Sequence, residues 1–390
     1  MSRSNPQEPP CTCSPSNSIV QDAVKHFYKH LPDGEVANGI AIGVINGADS
    51  AGNPNITTCY CGYANVEQQT AIGEDTVFEI GSVTKTFTTT MLAQAAHQGL
   101  VALSADAQSF FSTSDVTFPV YTDADGNTYP ITILDLADYT SGIPDKSPTN
   151  TSGHGQYSVQ MMYDYLNGLG SLTVQPGTEY KYVNTNFGIL ADVVKSVNSF
   201  DHYRDALSNL ISAADLQMPN TLVTHHDHPS IPNLAQGYRY NGDVENHYAL
   251  PTWPALVGAG GIYSTLSDML YWLQFNMGMT NSPYNGLLQT TQSVQFSGPK
   301  KKTGLGWLIG DVTIPPPVPI GTKYTLIYKD GGTEGFHSWI GFLAGAQIGI
   351  VLLCNGDLSG SLPINNGSSP IDDLGKSILK SFAENSFAAA

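Results

Sequence analysis

The segment Glu79–Gly99, EIGSVTKTFTTTMLAQAAHQG, reads as a helix that begins near Ser82 and ends at Gly99. Val83, Phe87, Met91 and Ala95 recur at helical spacing and give it an apolar side. Ser82 stands where an N-terminal residue belongs. Lys85 follows three positions later, so hydroxyl and ammonium lie about one turn apart on neighbouring rows of the helix. A serine needs a nearby proton acceptor to become a nucleophile, and a lysine whose pKa is lowered by burial and neighbouring charge can help. Free amides at the helix start suit a developing oxyanion. Taken alone, Ser-x-x-Lys reads by default as a helix cap followed by a solvated lysine. Its weight comes from the rest of the chain.

At 390 residues the chain can bury a large core and hold two or three domains. A composition 41% hydrophobic and 13% charged is globular, and a formal charge of −17 disfavours nucleic acid or anionic membrane surfaces as partners. The one basic run, Lys300–Lys302, is short and reads as a solvated turn. No apolar stretch is long enough to span a bilayer, and residues 1–20 lack a signal-like apolar core. The chain is therefore intracellular, or a mature product without its leader. Bridges from Cys11 and Cys13 to Cys59 and Cys61 would staple the N-terminal tail to a strand, leaving Cys354 as a buried thiol. That arrangement, with sequons at Asn55, Asn150 and Asn366, fits an extracellular or periplasmic setting.

Residues 1–17 are polar and read as a flexible tail unless the cysteines fix it. Ile19–Leu31 is an amphipathic helix, followed by strand-like runs from Gly39 and Thr57. Short helices and long loops occupy the middle of the chain. They include a helical or turn-like Ile131–Tyr139, a Pro/Gly/Ser/Thr-rich surface loop over 144–157, and a helix over Ser158–Leu166. His225, His226 and His228 look metal-like but fit a solvated loop better, and the polar, aromatic Tyr238–Tyr248 segment suits a cleft wall. Tyr182-Val183-Asn184 precedes an apolar helix; Tyr182 can be a buried aromatic or a proton mediator, and Asn184 a helix cap or an orienting amide. The glycines of VGAGGIYST, from Val257, permit close backbone approach. Strands return at Gly304, Lys323, Phe336 and Ile348, and Ile371–Phe387 closes the chain as an amphipathic helix. The expected fold is α/β (α+β): an antiparallel sheet flanked by helices, built from 18–80 and 300–390. A mostly helical domain, 81–299, is inserted, with the active site between the two.

With these residues in place, the chain after residue 17 resembles the serine β-lactamase and penicillin-binding-protein superfamily. The branch is that of class C β-lactamases, D-alanyl-D-alanine carboxypeptidases and related esterases. Ser82 and Lys85 match its Ser-x-x-Lys motif, and Tyr182 and Asn184 its Tyr-x-Asn motif. Thr140-Ser141-Gly142 and Gly258–Thr265 resemble two supporting segments. The third motif, Lys-Thr-Gly or His-x-Gly, is better matched by Lys329-Asp330-Gly331 than by the literal Lys302-Thr303-Gly304, which leads into a strand expected before the motif.

The resemblance implies acyl transfer to Ser82 from a lactam, amide or ester, with Lys85 and Tyr182 sharing the proton traffic and either one the base. It places Asn184 on substrate and Lys85, Lys329 as positive potential near a substrate carboxylate, and the amides of Ser82 and Gly332 as oxyanion donors. The implied partner is a small-molecule or short-peptide substrate, and no metal or organic cofactor is required. Asp330 stands where threonine is commoner, and an aspartate there would repel an anionic substrate. A β-lactamase-like hydrolase thus competes with an esterase, a D-amino-acid peptidase or an acyltransferase. A binding scaffold without catalysis would be marked by loss of Ser82, Lys85 or Tyr182, and none is lost.

Overall fold

Pairing between the two ends of the chain builds the main sheet. The computed structural model describes residues 11–31, 38–144, 157–223, 231–239, 254–299, 301–314, 323–356, 358 and 369–388. The first part of the chain forms β1 (Cys11–Ser14), α1 (Ser18–Lys29), β2 (Gly39–Ala48), β3 (Pro54–Asn65), β4 (Thr70–Ala71), β5 (Val77–Glu79) and α2 (Thr84–His97). The middle supplies β6 (Tyr121–Thr122), β7 (Thr128–Tyr129), α3 (Ile133–Ala137), α4 (Val159–Gly168), α5 (Asn184–Val197) and α6 (Tyr203–Ala213). It continues through β8 (Leu222–Val223), α7 (Val257–Gly260), β9 (Ile262–Thr265), α8 (Leu266–Asn276) and α9 (Leu287–Gln292). The last part gives β10 (Phe296–Ser297), β11 (Lys302–Thr303), β12 (Leu308–Thr313), β13 (Lys323–Gly332), β14 (His337–Leu343), β15 (Ile348–Cys354) and α10 (Pro370–Ala388).

The main sheet runs β1-β3-β2-β15-β14-β13-β12-β11-β10, every pair antiparallel, and Ile42 of β2 lies opposite Leu352 of β15. Its central strands are apolar on both faces because both are covered. Ile40, Ile42 and Val44, with Ile350 and Leu352, pack with α1 and α10; Ala41, Ile45, Val351 and Leu353 pack on the other side with α2, α5 and α8. This is why those strands read as near-continuous apolar runs instead of an in–out alternation. A smaller sheet, β5-β9-β8, lies just ahead of Ser82.

Several expectations shift. The serine-bearing helix is entered through a 3₁₀ turn, Gly81–Val83, and becomes α-helical only at Thr84. It is also not one-sided: Thr84 through Ala95 are all buried. Its threonine hydroxyls make this possible by bonding to surrounding elements, Thr88 to Gly258 O (2.7 Å) and Thr89 to Leu305 O (2.8 Å). Trp272 Nε1 donates to Thr86 Oγ1 (3.0 Å), and the indole stacks on Phe87 at 3.8 Å. The segment from Gly304 is a turn whose strand starts at Leu308, and a strand, β9, separates the glycine-rich turn from α8. The histidines 225, 226 and 228, nearly all of loop 144–157, residues 240–248 of the expected cleft wall, Lys300, and the sequons at Asn150 and Asn366 lie outside the described residues. Among the described residues, no helix is long and apolar enough to cross a membrane.

The cysteines fix the second half of the tail. β1 lies on β3 with Cys11 opposite Cys61 and Cys13 opposite Cys59, and both pairs are disulfides; Cys354 is a buried thiol. The bridges are nested, with separations of 50 and 46 residues. Once one is closed, the other constrains little further chain. Chain-entropy reasoning then gives about 4 kcal/mol for the first bridge and at most about 2 kcal/mol for the second. Replacing Cys11 and Cys61 together by serine should therefore cost about 1–2 kcal/mol in denaturant unfolding, and removing all four cysteines markedly more. Equal losses for one bridge and for both would contradict this account.

Candidate active site

The backbone before Ser82 is held from two sides. Ile80 N donates to Ile262 O of β9 (3.1 Å), and Ile80 O accepts from Ser338 Oγ of β14 (2.7 Å). Gly81 then turns with φ +48°, and a Cβ there would fall 2.8 Å from Gly332 N. A Cβ on Gly331 would fall 2.3 Å from Ile80 O and 2.9 Å from Ser82 N. Only glycines let the end of β13 lie against the serine turn so closely. Gly332 is thereby brought beside the Ser82 backbone.

Lys85 is fully buried one turn along, and three acceptors receive its ammonium: Ser82 Oγ (2.9 Å), Asn184 Oδ1 (2.9 Å) and Ala259 O (2.7 Å). Burial, and then repulsion from Lys329, push its pKa well below the ordinary lysine value; Asp330 acts in the opposite sense. Ala259 belongs to the glycine-rich turn, now α7. A Cβ on Gly258 would sit 2.6 Å from Phe187 O, so the missing side chain is what lets α7 close on α5. Asn184 opens α5 but does not cap it: Val183 is the N-cap residue, and the Asn184 amide faces Lys85 instead.

Tyr182 OH donates to Ser82 Oγ at 2.5 Å. Lys85 Nζ and Lys329 Nζ lie 4.9 and 5.3 Å from the centre of its ring. The ring stacks on Tyr139 with centroids 5.5 Å apart. Tyr139 is buried, has φ +70°, donates its hydroxyl to Gly306 O (2.7 Å), and accepts from Lys181 N at its carbonyl (2.8 Å). It therefore locks both the ring and the backbone next to Tyr182. An aromatic residue in the left-handed region is strained backbone held by its surroundings.

Lys329 is buried on β13, and its Nζ donates to Asp330 O (2.7 Å) and Asp330 Oδ1 (2.9 Å). Burial alone would lower the lysine; the Asp330 carboxylate and Tyr182 outweigh it and hold it above the ordinary value. Desolvation would raise Asp330, but the Lys329 ammonium overrides that and holds the carboxyl at about 2. Its side chain is 48% exposed, so the pair shows its anionic member to solvent. The literal Lys302-Thr303-Gly304 lies elsewhere. Lys302 is exposed and 3.8 Å from Asp311, and Thr303 Oγ1 donates to Asp138 O (3.0 Å).

Of the six residues singled out from sequence, Lys85 and Tyr182 flank the Ser82 hydroxyl, Asn184 holds Lys85, Lys329 faces the Tyr182 ring and Gly332 lies against Gly81. That arrangement can carry a proton to or from Ser82 Oγ by two routes. Among the described residues, no group of three or more His, Cys, Asp or Glu is disposed to hold a metal. Sequence reasoning missed Tyr139 and the Ala259 carbonyl. The first was visible only as the residue before Thr140-Ser141-Gly142, and the second carries no side-chain signal at all.

Comparison with known proteins agrees with this geometry. The Beta-lactamase family model matches residues 24–367. A Beta-lactamase of Escherichia coli (strain K12) is 26% identical over 377 residues, covering 88% of this chain and 91% of the relative. The D-alanyl-D-alanine-carboxypeptidase/endopeptidase AmpH of the same strain is 26% identical over 373 residues, covering 91% of this chain and 89% of the relative. A crystal structure of a Beta-Lactamase/D-Alanine Carboxypeptidase from Pseudomonas syringae has the same fold, with a TM-score of 0.70 at 20% identity over 93% of this chain and 98% of that one. With most of its length matched by one family model, and with that family's fold, the chain belongs to the β-lactamase family and is a serine hydrolase.

Proposed function

We propose that the protein hydrolyses an ester, amide or lactam through an acyl-enzyme on Ser82. The supporting observation is that Ser82 Oγ is the shared partner of Lys85 Nζ and Tyr182 OH. Asn184 Oδ1 and the Ala259 carbonyl can only accept, so they hold two N–H groups of Lys85 whatever its charge. Loss of one proton then leaves the amine lone pair aimed at Ser82. In this reading Oγ bonds to the substrate carbonyl carbon while its proton passes to Lys85. The amides of Ser82 and Gly332 receive the oxyanion, and Tyr182 delivers a proton to the leaving group as its bond breaks. Water then attacks the acyl carbon and gives a proton to the Tyr182 oxygen, the Ser82 ester bond breaks, and Oγ regains its proton from Lys85, which restores the starting state.

The E. coli relatives are named for a β-lactam and for D-alanyl-D-alanine peptides, which makes both suitable probes beside a short-chain activated ester. The substrate is a small molecule or short peptide. The two disulfides support an exported, oxidising setting, extracellular or periplasmic.

Intact-protein mass after mixing with a penicillin, a cephalosporin, an activated ester and a D-alanyl-D-alanine peptide should show an adduct or turnover that Ser82→Ala abolishes. Turnover surviving in that variant would remove Ser82 as nucleophile. The lowered Lys85 pKa sets a second expectation. A base works unprotonated, so kcat/KM should rise with pH through a pKa well below 10.5. Lys85→Arg keeps its proton across the accessible range and should lose activity by about 10²–10⁴-fold together with that rise. A wild-type profile flat from about pH 5 to 10 would exclude Lys85 as the base.

A further inference from the structure

We infer that Asp330 is a specificity-determining residue: it occupies the Lys329 ammonium and turns the site toward acyl donors whose leaving group is neutral or cationic. This rests on the acyl-enzyme reading of Ser82 and deepens it.

Lys329 is the cation that sequence reasoning placed against a substrate carboxylate. Its side chain is only 2% exposed, and its Nζ is already held by both the carbonyl and the carboxylate of the next residue. Two of its three N–H groups are thus taken by the next residue, so a substrate carboxylate would have to compete with a covalently tethered one or share the ammonium with it. Displacement would also strand Asp330 next to a second anion. The carboxyl is held at about 2, so protonation does not relieve that repulsion near neutral pH. The pair therefore shows solvent a half-exposed Asp330 carboxylate, while Lys329 stays buried with its Nζ 5.3 Å from the centre of the Tyr182 ring. Such a surface repels an anion, tolerates a neutral group and attracts an ammonium. The lysine remains useful as a fixed charge beside Tyr182, without acting as a carboxylate receptor.

Three phenylacetyl esters that differ only in the leaving alcohol test this: glycolate (anionic), glycolamide (neutral) and choline (cationic). Wild-type kcat/KM should rank choline at or above glycolamide, and glycolamide at least about tenfold above glycolate at low salt. Raising the ionic strength to about 1 M, where the screening length is about 3 Å, should narrow that gap without any substitution. Asp330→Asn and Asp330→Thr should each raise the glycolate-to-glycolamide ratio by about tenfold. Using ratios cancels any common change in Lys85 or in the amount of folded enzyme. A wild type that prefers the glycolate ester, a gap insensitive to salt, or ratios unchanged in both variants would overturn the inference. Ser82→Ala run on the same esters separates the two readings. Turnover that survives it defeats the acyl-enzyme, whereas Ser82-dependent turnover without charge selection defeats only the role of Asp330.

Discussion

A lysine ammonium sealed inside the protein must have its N–H groups met, and that requirement organises the centre of this fold. Lys85 satisfies it with one hydroxyl, one side-chain amide and one backbone carbonyl, drawn from three separate segments. Stranding such a charge would cost several kcal/mol, so α2, α5 and α7 are held to one relative placement. Each adapts to it. Gly258 allows α7 to reach α5, and α2 carries threonines where a buried helix would ordinarily carry aliphatics. Their hydroxyls satisfy carbonyls of the neighbouring segments, Gly258 and Leu305, that an apolar side chain would leave exposed to nothing.

The sheet meets this helical cluster at a single strand end. β13 carries Lys329 on its way to Gly331 and Gly332, and the glycine contacts with Gly81 place that end against the serine turn. Ser338 of β14 adds the bond to Ile80 O. Rigidity here is useful because oxyanion stabilisation depends on donors fixed before the charge appears. The two strands at the middle of the sheet, β2 and β15, come from opposite ends of the chain, and the serine turn likewise meets Gly332 and Ser338 from far along the sequence.

The sheet was legible because its strands are apolar and bounded by turn residues, and β13 is bounded in the structure as its sequence reads, Lys323 to Gly332. The Ser82, Lys85, Tyr182 and Asn184 cluster was legible because two short spacings match the Ser-x-x-Lys and Tyr-x-Asn motifs of the family the chain resembles, neither spacing carrying it alone. Features set by the backbone were not. Tyr139 at φ +70° leaves no compositional trace, and the Ala259 carbonyl is anonymous in any sequence. The short strands β5, β8 and β9, of two to four residues, fall below what periodicity can detect. The apolar side that Val83, Phe87, Met91 and Ala95 give α2 is buried, and so is the rest of the helix from Thr84 to Ala95, because a threonine bonded to a carbonyl is a core residue.

Asp330 shows why one residue in a motif can alter more than one property. Lys329 lowers the Lys85 pKa, and Asp330 opposes that effect. The ion pair inferred to set the charge a substrate meets therefore also acts on the Lys85 pKa, after burial, its largest cause. An uncompensated Lys329 would make Lys85 easier to deprotonate while exposing a receptor for carboxylates. The paired form moves both properties the other way. On the proposed reading, base strength and substrate charge are coupled through a single side chain, so a substitution at position 330 would also shift the Lys85 pKa.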